Sequence, residues 1–285
     1  MGSKPPGRKK RGETKEYPDE VSLIERLSED GDGFVARRFE EGHTHVAFAE
    51  THHEDRLHAE MVRLVPELRQ RIGLRTVCLE IESRVQEDLD QYLRTGNEAF
   101  LDRIIENEKK MADNGYPVRG RITGSYFDII RRARASGVHV IAMDNHEDEE
   151  NRNESMTSMI PVEGPTMVYV GLAHLIDMSF FGKQYSGSIP ARFHEKTGRT
   201  MYRVFTLFSA EGGLAELSVM ERLYAKWMDS LVAQSETLQG AKGFGLDLRK
   251  HGIHYVFRRH EPPLPLFQEI DLTSSNCYDG ILYRR

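Results

Sequence analysis

Cysteine is scarce: only Cys78 and Cys277 occur in 285 residues, far apart and in no CxxC pair. A disulfide framework and a thiolate zinc site are therefore not expected, and two reduced thiols are. No apolar run approaches the roughly 20 residues that cross a bilayer, and the chain does not open with the apolar core of a secretory signal. These absences lead us to expect a cytoplasmic protein without a transmembrane segment. Positive charge is in deficit, with 39 Lys and Arg against 45 Asp and Glu and a net charge of −6. That balance argues against general nucleic-acid binding. Also missing are the dinucleotide fingerprint GxGxxG, the phosphate loop GxxxxGK(S/T), the zinc-protease motif HExxH and the nucleophile elbow GxSxG.

What is present is a chain of 39% apolar and 29% charged residues, the balance of a globular protein with a highly charged surface. Its length suits one α/β unit. Residues 1–18 are rich in Gly, Pro, Lys and Arg without periodicity and read as a disordered basic tail. Its Gly-Arg-Lys-Lys-Arg-Gly stretch reads as solvated, or as a patch for nuclear targeting or an anionic surface. Residues 19–285 form the expected domain.

Short β-branched runs predict strands at Thr44–Glu50, Thr76–Ile81, Val138–Asp144, Met167–Gly171, Met201–Leu207, His254–Phe257 and Gly280–Tyr283. Between them lie helical patterns at Val21–Leu27, at 54–72 with Gly73 as C-cap, at 84–113 with a break near Thr95-Gly96, at 123–136 and at Leu214–Leu231. A turn is expected over Glu29-Asp30-Gly31-Asp32-Gly33. Alternating strands and helices imply a mostly parallel sheet with helices on both faces. The closely spaced final strands imply an antiparallel edge.

The candidate chemistry gathers where these strands end, the place where open α/β folds put their sites. The first strand runs into Ala49-Glu50-Thr51-His52-His53-Glu54-Asp55. In an extended chain Glu50 and His52 point the same way. A carboxylate beside an imidazole serves a general base and a metal ligand equally. His53 points away and is the lesser candidate; His58, on the following helix, reads equally as a surface or capping residue and as a functional one. Glu80 stands among Val77, Cys78, Leu79 and Ile81, where a carboxylate must be paired, protonated or at the strand exit. Glu82 reads as a second acid or as part of a helix start. Asp144 and Asn145 end the third strand and are candidates to buttress a histidine and orient a ligand. The acidic run at 146–150 reads as a solvated face. His174 follows Gly171-Leu172-Ala173, small residues that allow close approach to a ligand.

In their order these elements resemble the superfamily of erythromycin esterases, TIKI/TraB proteins and ChaN-type haem-binding proteins. Ala49-Glu50-Thr51-His52 is similar to its Gly-Glu-x-His element, with Ala49 in place of Gly. Leu79-Glu80 resembles the end of its second strand, Ile129–Arg134 a helix preceding its third, and Arg152 with Met156 or Met159 its Arg and Met-containing helix. Gly171–His174 resembles its Gly-x-x-His element and Tyr278–Tyr283 its closing strand. The likeness spans roughly residues 42–285.

The resemblance implies a hydrolase cleaving an ester, lactone or amide bond of a small-molecule or peptide substrate. His52 would be the general base, oriented by Glu50 or Glu80. His174 would stabilise the oxyanion or protonate the leaving group. His53, His58, Glu82, Asp144, Asn145 and Arg152 would bind or support. A metal-dependent version would hold Zn, Mn or Co on His52, Glu80 and His174. The alternatives are a haem or small-molecule binding protein, an effector domain aided by its basic tail, and a biosynthetic enzyme.

Overall fold

Alternation along each strand decides the layering. In His45–Glu50 (β2), Val46 and Phe48 join one apolar cluster, Ala47 and Ala49 another, and all six residues are buried. A strand covered on both faces belongs to the interior of a parallel sheet. The structure, a computed structural model, describes residues 20–50, 54–113, 124–145, 151–176, 179–180, 183–184, 187–209, 219–249 and 278–285.

The chain begins with α1 (Glu20–Leu27), β1 (Ser28–Asp30) and α2 (Gly31–Glu40), then β2, α3 (Asp55–Ile72) and β3 (Thr76–Glu82). It continues through α4 (Gln86–Thr95), α5 (Glu98–Asp113), α6 (Gly124–Ala135), β4 (His139–Asp144), α7 (Arg152–Met159) and β5 (Thr166–Gly171). A small ladder, β6 (Ser179–Phe180) with β7 (Lys183–Gln184), precedes α8 (Ile189–Thr197), β8 (Met201–Phe208), α9 (Val219–Val232) and α10 (Glu236–Gln239). The last strands are β9 (Gly243–Asp247) and β10 (Gly280–Arg284).

Among the described residues eight strands form one sheet in the order β1-β9-β10-β8-β2-β5-β3-β4. Pairing is parallel from β10 through β4, and β9 runs antiparallel to both β10 and β1. Residues of α2 to α6 pack on one face and residues of α1 and α7 to α10 on the other. The expected mostly parallel sheet with helices on both faces and an antiparallel edge is what forms.

Three local expectations are corrected or fall elsewhere. The turn expected at Glu29–Gly33 is instead the short strand β1 and the start of α2. Asp30 caps that helix, accepting from the Gly33 N–H at 2.9 Å. The antiparallel strand is β9, which sequence periodicity missed because Gly243 and Gly245 interrupt it. Gly245 is required by packing: a Cβ there would lie 2.1 Å from the Phe34 ring. The strand expected at His254–Phe257 and the tail 1–18 lie outside the described residues.

The topology fixes where a crevice is expected. Adjacent strands β2 and β5 lead to opposite faces, β2 into α3 on one side and β5 toward α8 on the other. Neighbouring strands whose connections diverge leave an opening beyond their carboxyl ends. The opposite end of the sheet is closed by charge: Arg38, fully buried, bonds Asp247 at 2.9 Å and Glu29 at 2.8 Å. Asp279 holds the Arg203 guanidinium at 3.0 Å and its N–H at 2.8 Å. The aspartate of the closing Tyr-Asp motif thus braces a strand entrance and stands away from the crevice.

Candidate functional site

Three strand ends bring four acids to this opening: Glu50 on β2, Glu80 and Glu82 on β3, and Asp144 on β4, each 4% exposed or less. The histidine follows β5. Gly171 ends that strand and the next three residues coil into a single 3₁₀ turn, placing His174 over the sheet, 7% exposed.

Glu80 is the hub. One of its oxygens accepts from the Gly171 N–H at 2.6 Å. The other accepts from Arg152 Nη2 at 2.9 Å and lies 3.5 Å from His174 Nε2. Arg152, first residue of α7, also grips Asp144 with two bonds of 2.7 Å. The guanidinium fork matches a carboxylate in this two-point fashion and fixes it. Strands β3, β4 and β5 are thereby joined at their ends by one arginine and one glutamate.

The tautomer of His174 follows from its other partner. Nδ1 lies 2.6 Å from Asn153 Oδ1, and Asn153 donates its own Nδ2 to the Gly187 carbonyl at 2.9 Å. That second bond sets the amide orientation, so its oxygen faces the ring and Nδ1 is the donor. In neutral His174 the lone pair is on Nε2, the atom beside Glu80. When Nε2 takes a proton, the imidazolium lies against a carboxylate. With one nitrogen held and the other beside a carboxylate, a histidine so placed can chemically take up and release a proton at Nε2.

Glu50 stands on the other face. Strand register pairs Phe48 with Tyr169 and Glu50 with Gly171, so Glu50 and Tyr169 are diagonal neighbours on the α3/α6 side. Glu80 follows Leu79, which pairs with Tyr169, and therefore projects to the α7/α8 side. Tyr169 is fully buried, and among the described residues its hydroxyl has no hydrogen-bond partner. Burial first, and then the negative charge of Glu50, drives its phenol well above the ordinary tyrosine range.

The structure thus brings Glu80, Asp144, Arg152 and His174 into contact and puts Glu50 on the opposite side of the sheet at the same end. His52 and His53 lie outside the described residues. Asn145 makes a long contact, 3.4 Å, from its side-chain nitrogen to Ser155 Oγ, on α7 rather than on the hub. Glu82 starts the 3₁₀ turn Ser83–Val85 without a side-chain capping bond, and its N–H reaches Glu108 at 3.5 Å. His58 is fully buried, which rules out the surface reading. Sequence reasoning missed Asn153. Asn in the first turn of a helix carries no signal until the fold places it against a histidine 21 residues away.

Among the described residues no group of three His, Cys, Asp or Glu is arranged for a metal ion. The ligand set His52, Glu80 and His174 meets a further obstacle. Both Glu80 oxygens already accept from N–H donors, and Arg152 brings its positive charge to the very oxygen that faces His174. A divalent cation at that oxygen would meet the guanidinium, so the hub does not fit a metal as arranged.

No protein-family model matches the chain, and no curated protein is similar enough in sequence to count as a relative. Solved structures do share the fold. A Bacillus cereus protein aligns with a TM-score of 0.55 at 12% identity, covering 93% of this chain and 96% of its own. A succinoglycan biosynthesis protein aligns equally well, at 11% identity and the same coverage. A ChaN protein of Campylobacter jejuni that binds haem cofacially aligns at 13% identity with a TM-score of 0.39, over 61% of this chain and 85% of its own. At these identities the first two establish the fold alone, and the third is too slight to bear on function.

Proposed function

We propose that the chain is a hydrolase that cleaves an ester, lactone or amide bond with a water activated over the ends of β2, β3 and β5. The observation that carries this reading is His174, with Nδ1 held by Asn153 and Nε2 beside Glu80. Protonated at Nε2 and paired with Glu80, His174 is an acid poised to give its proton to a leaving oxygen or nitrogen. A base must take a proton from the attacking water, and His52, two residues beyond Glu50, is the residue proposed for it. The proton lost by water and the proton gained by the leaving group balance, and each histidine returns to its starting state by exchange with solvent. Arg152 bonds both Glu80 and Asp144 and holds them in place. Glu50 supports from the other side of the sheet.

The test is a hydrolysis panel of aryl esters, lactones and a mixed peptide library, run on the wild type, His174→Gln and Glu80→Gln. General acid–base groups contribute about 10²–10⁴-fold, so turnover should fall by that range in both variants with folding retained. Equal turnover in all three proteins overturns the assignment. A wild type that hydrolyses nothing but binds haem with a Soret band, lost in His174→Gln, would replace it with the binding reading.

A further inference from the structure

A second buried histidine lies across the sheet from the first, and its hydrogen bonds also dictate where its proton sits. His58 is on the first turn of α3 and is fully buried. Its ring stands perpendicular to two tyrosines: Tyr126 of α6 at 86° and 5.3 Å between centroids, and Tyr169 of β5 at 89° and 6.2 Å. The two tyrosine rings stack on each other at 6.0 Å. Nδ1 of His58 lies 2.9 Å from Ser125 Oγ, and the Ser125 hydroxyl donates to Asp55 Oδ1 at 2.5 Å.

A serine hydroxyl has one proton, and an ionised aspartate can only accept. The Ser125 proton therefore points at Asp55. Ser125 Oγ then offers His58 a lone pair, and Nδ1 must be the donor. In the neutral ring Nε2 is then the unprotonated nitrogen, on an imidazole packed against the two tyrosine rings. We propose that Asp55, Ser125 and His58 form a relay that holds His58 as the neutral Nδ1–H tautomer and makes it a positioning residue of the crevice.

The relay ties three elements together just behind the β2 strand end. Asp55 and His58 belong to the start of α3, Ser125 and Tyr126 to the start of α6, and Tyr169 to β5, where it is the diagonal neighbour of Glu50. Its outer end is open to water, since the Asp55 side chain is 68% exposed, while its inner end is sealed. The catalytic meaning of this relay rests on the hydrolase reading; the tautomer does not, because it is measured without substrate.

The experiment is nitrogen NMR on the full chain labelled with ¹⁵N-histidine, with His58 identified through its contacts to the Tyr126 and Tyr169 rings. At neutral pH the wild type should show His58 as a single neutral form, Nδ1 protonated and Nε2 bare. Ser125→Ala should abolish that selection, giving a mixture or the Nε2–H form, and Ser125→Thr, which keeps a hydroxyl, should restore it. A wild-type ring protonated on Nε2, or a tautomer unmoved by Ser125→Ala, overturns the relay. Absence of hydrolysis with the expected tautomer would count against the hydrolase reading and leave the relay standing.

Discussion

Asn153 Oδ1 lies 2.6 Å from Nδ1 of His174, and the same amide is tied through its nitrogen to the Gly187 carbonyl. The bond at Gly187 makes the bond at His174 directional. An asparagine free to flip could offer the ring either an acceptor or a donor; this one offers only an acceptor.

Asn153→Leu removes the acceptor while keeping the volume. A buried histidine nitrogen loses its partner, which costs about 1–3 kcal/mol of stability. Activity should fall further than stability explains. His174→Gln made on top of Asn153→Leu should add much less than it does alone, because the two act as one unit. Rates of the two single variants and the double variant check this; additive losses would contradict it.

Arg152 neutralises two buried carboxylates at once. Arg152→Ala leaves Glu80 and Asp144 uncompensated, and breaking such a set costs about 3–5 kcal/mol, here near the low end because the guanidinium is 20% exposed. Urea unfolding should show the loss. Arg152→Lys should recover only part of it, since an ammonium cannot grip Asp144 at two points while reaching Glu80.

The open edge of the sheet is closed by a side chain. Among the described residues β4 pairs with β3 alone, and on its outer side Gln86 acts as a substitute strand. The Gln86 amide donates to the Val140 carbonyl at 3.1 Å and its oxygen accepts from the Ala142 N–H at 2.7 Å. Unpaired strand edges invite association between chains. Gln86→Glu, which cannot donate to Val140 when ionised, should be less stable than wild type by about 1–3 kcal/mol and should sediment as larger species at high concentration.

His45, at the entrance of β2, sets a pH dependence. Nε2–H donates to the Pro161 carbonyl at 2.7 Å and Nδ1 faces the Thr44 hydroxyl at 2.9 Å. Burial pulls its pKa below the ordinary imidazole value, and the Pro161 carbonyl only partly offsets that. Burial and Arg249 do the same to His43. The unfolded chain therefore binds protons that the folded chain refuses, so stability rises with pH in this window. It should be fully present above the ordinary value of about 6.5 and decline as pH falls below it. Denaturant melts between pH 5 and 8 should show a shallower decline in His45→Gln than in wild type.

Much of this was legible in the sequence, for identifiable reasons. Parallel strands buried on both faces read as continuous apolar runs, so β2, β3, β4 and β5 stood out, and the polar residues ending them marked the crevice. Glu80 was conspicuous because its neighbours are apolar. What stayed hidden depends on contacts between distant segments. Asn153 gains meaning only from His174, Ser125 only from His58 and Asp55, and Gly245 only from Phe34. β9 was invisible because its glycines break the periodicity, Gly245 answering to Phe34 of α2 and Gly243 to Tyr283 and Arg284 of β10. Likewise, the face each acid takes follows from register, which separates Glu50 from Glu80 although their strands flank β5 on either side.

The most direct test of the central claim is product analysis in ¹⁸O-labelled water. Wild-type protein incubated with an ester, lactone and peptide mixture should yield carboxylic acids carrying one ¹⁸O, because the new C–O bond is made from water. His174→Gln and Glu80→Gln, folded by circular dichroism, should yield them about 10²–10⁴-fold more slowly. Labelled product formed at the same rate by all three proteins, or none formed by the wild type, would contradict the account.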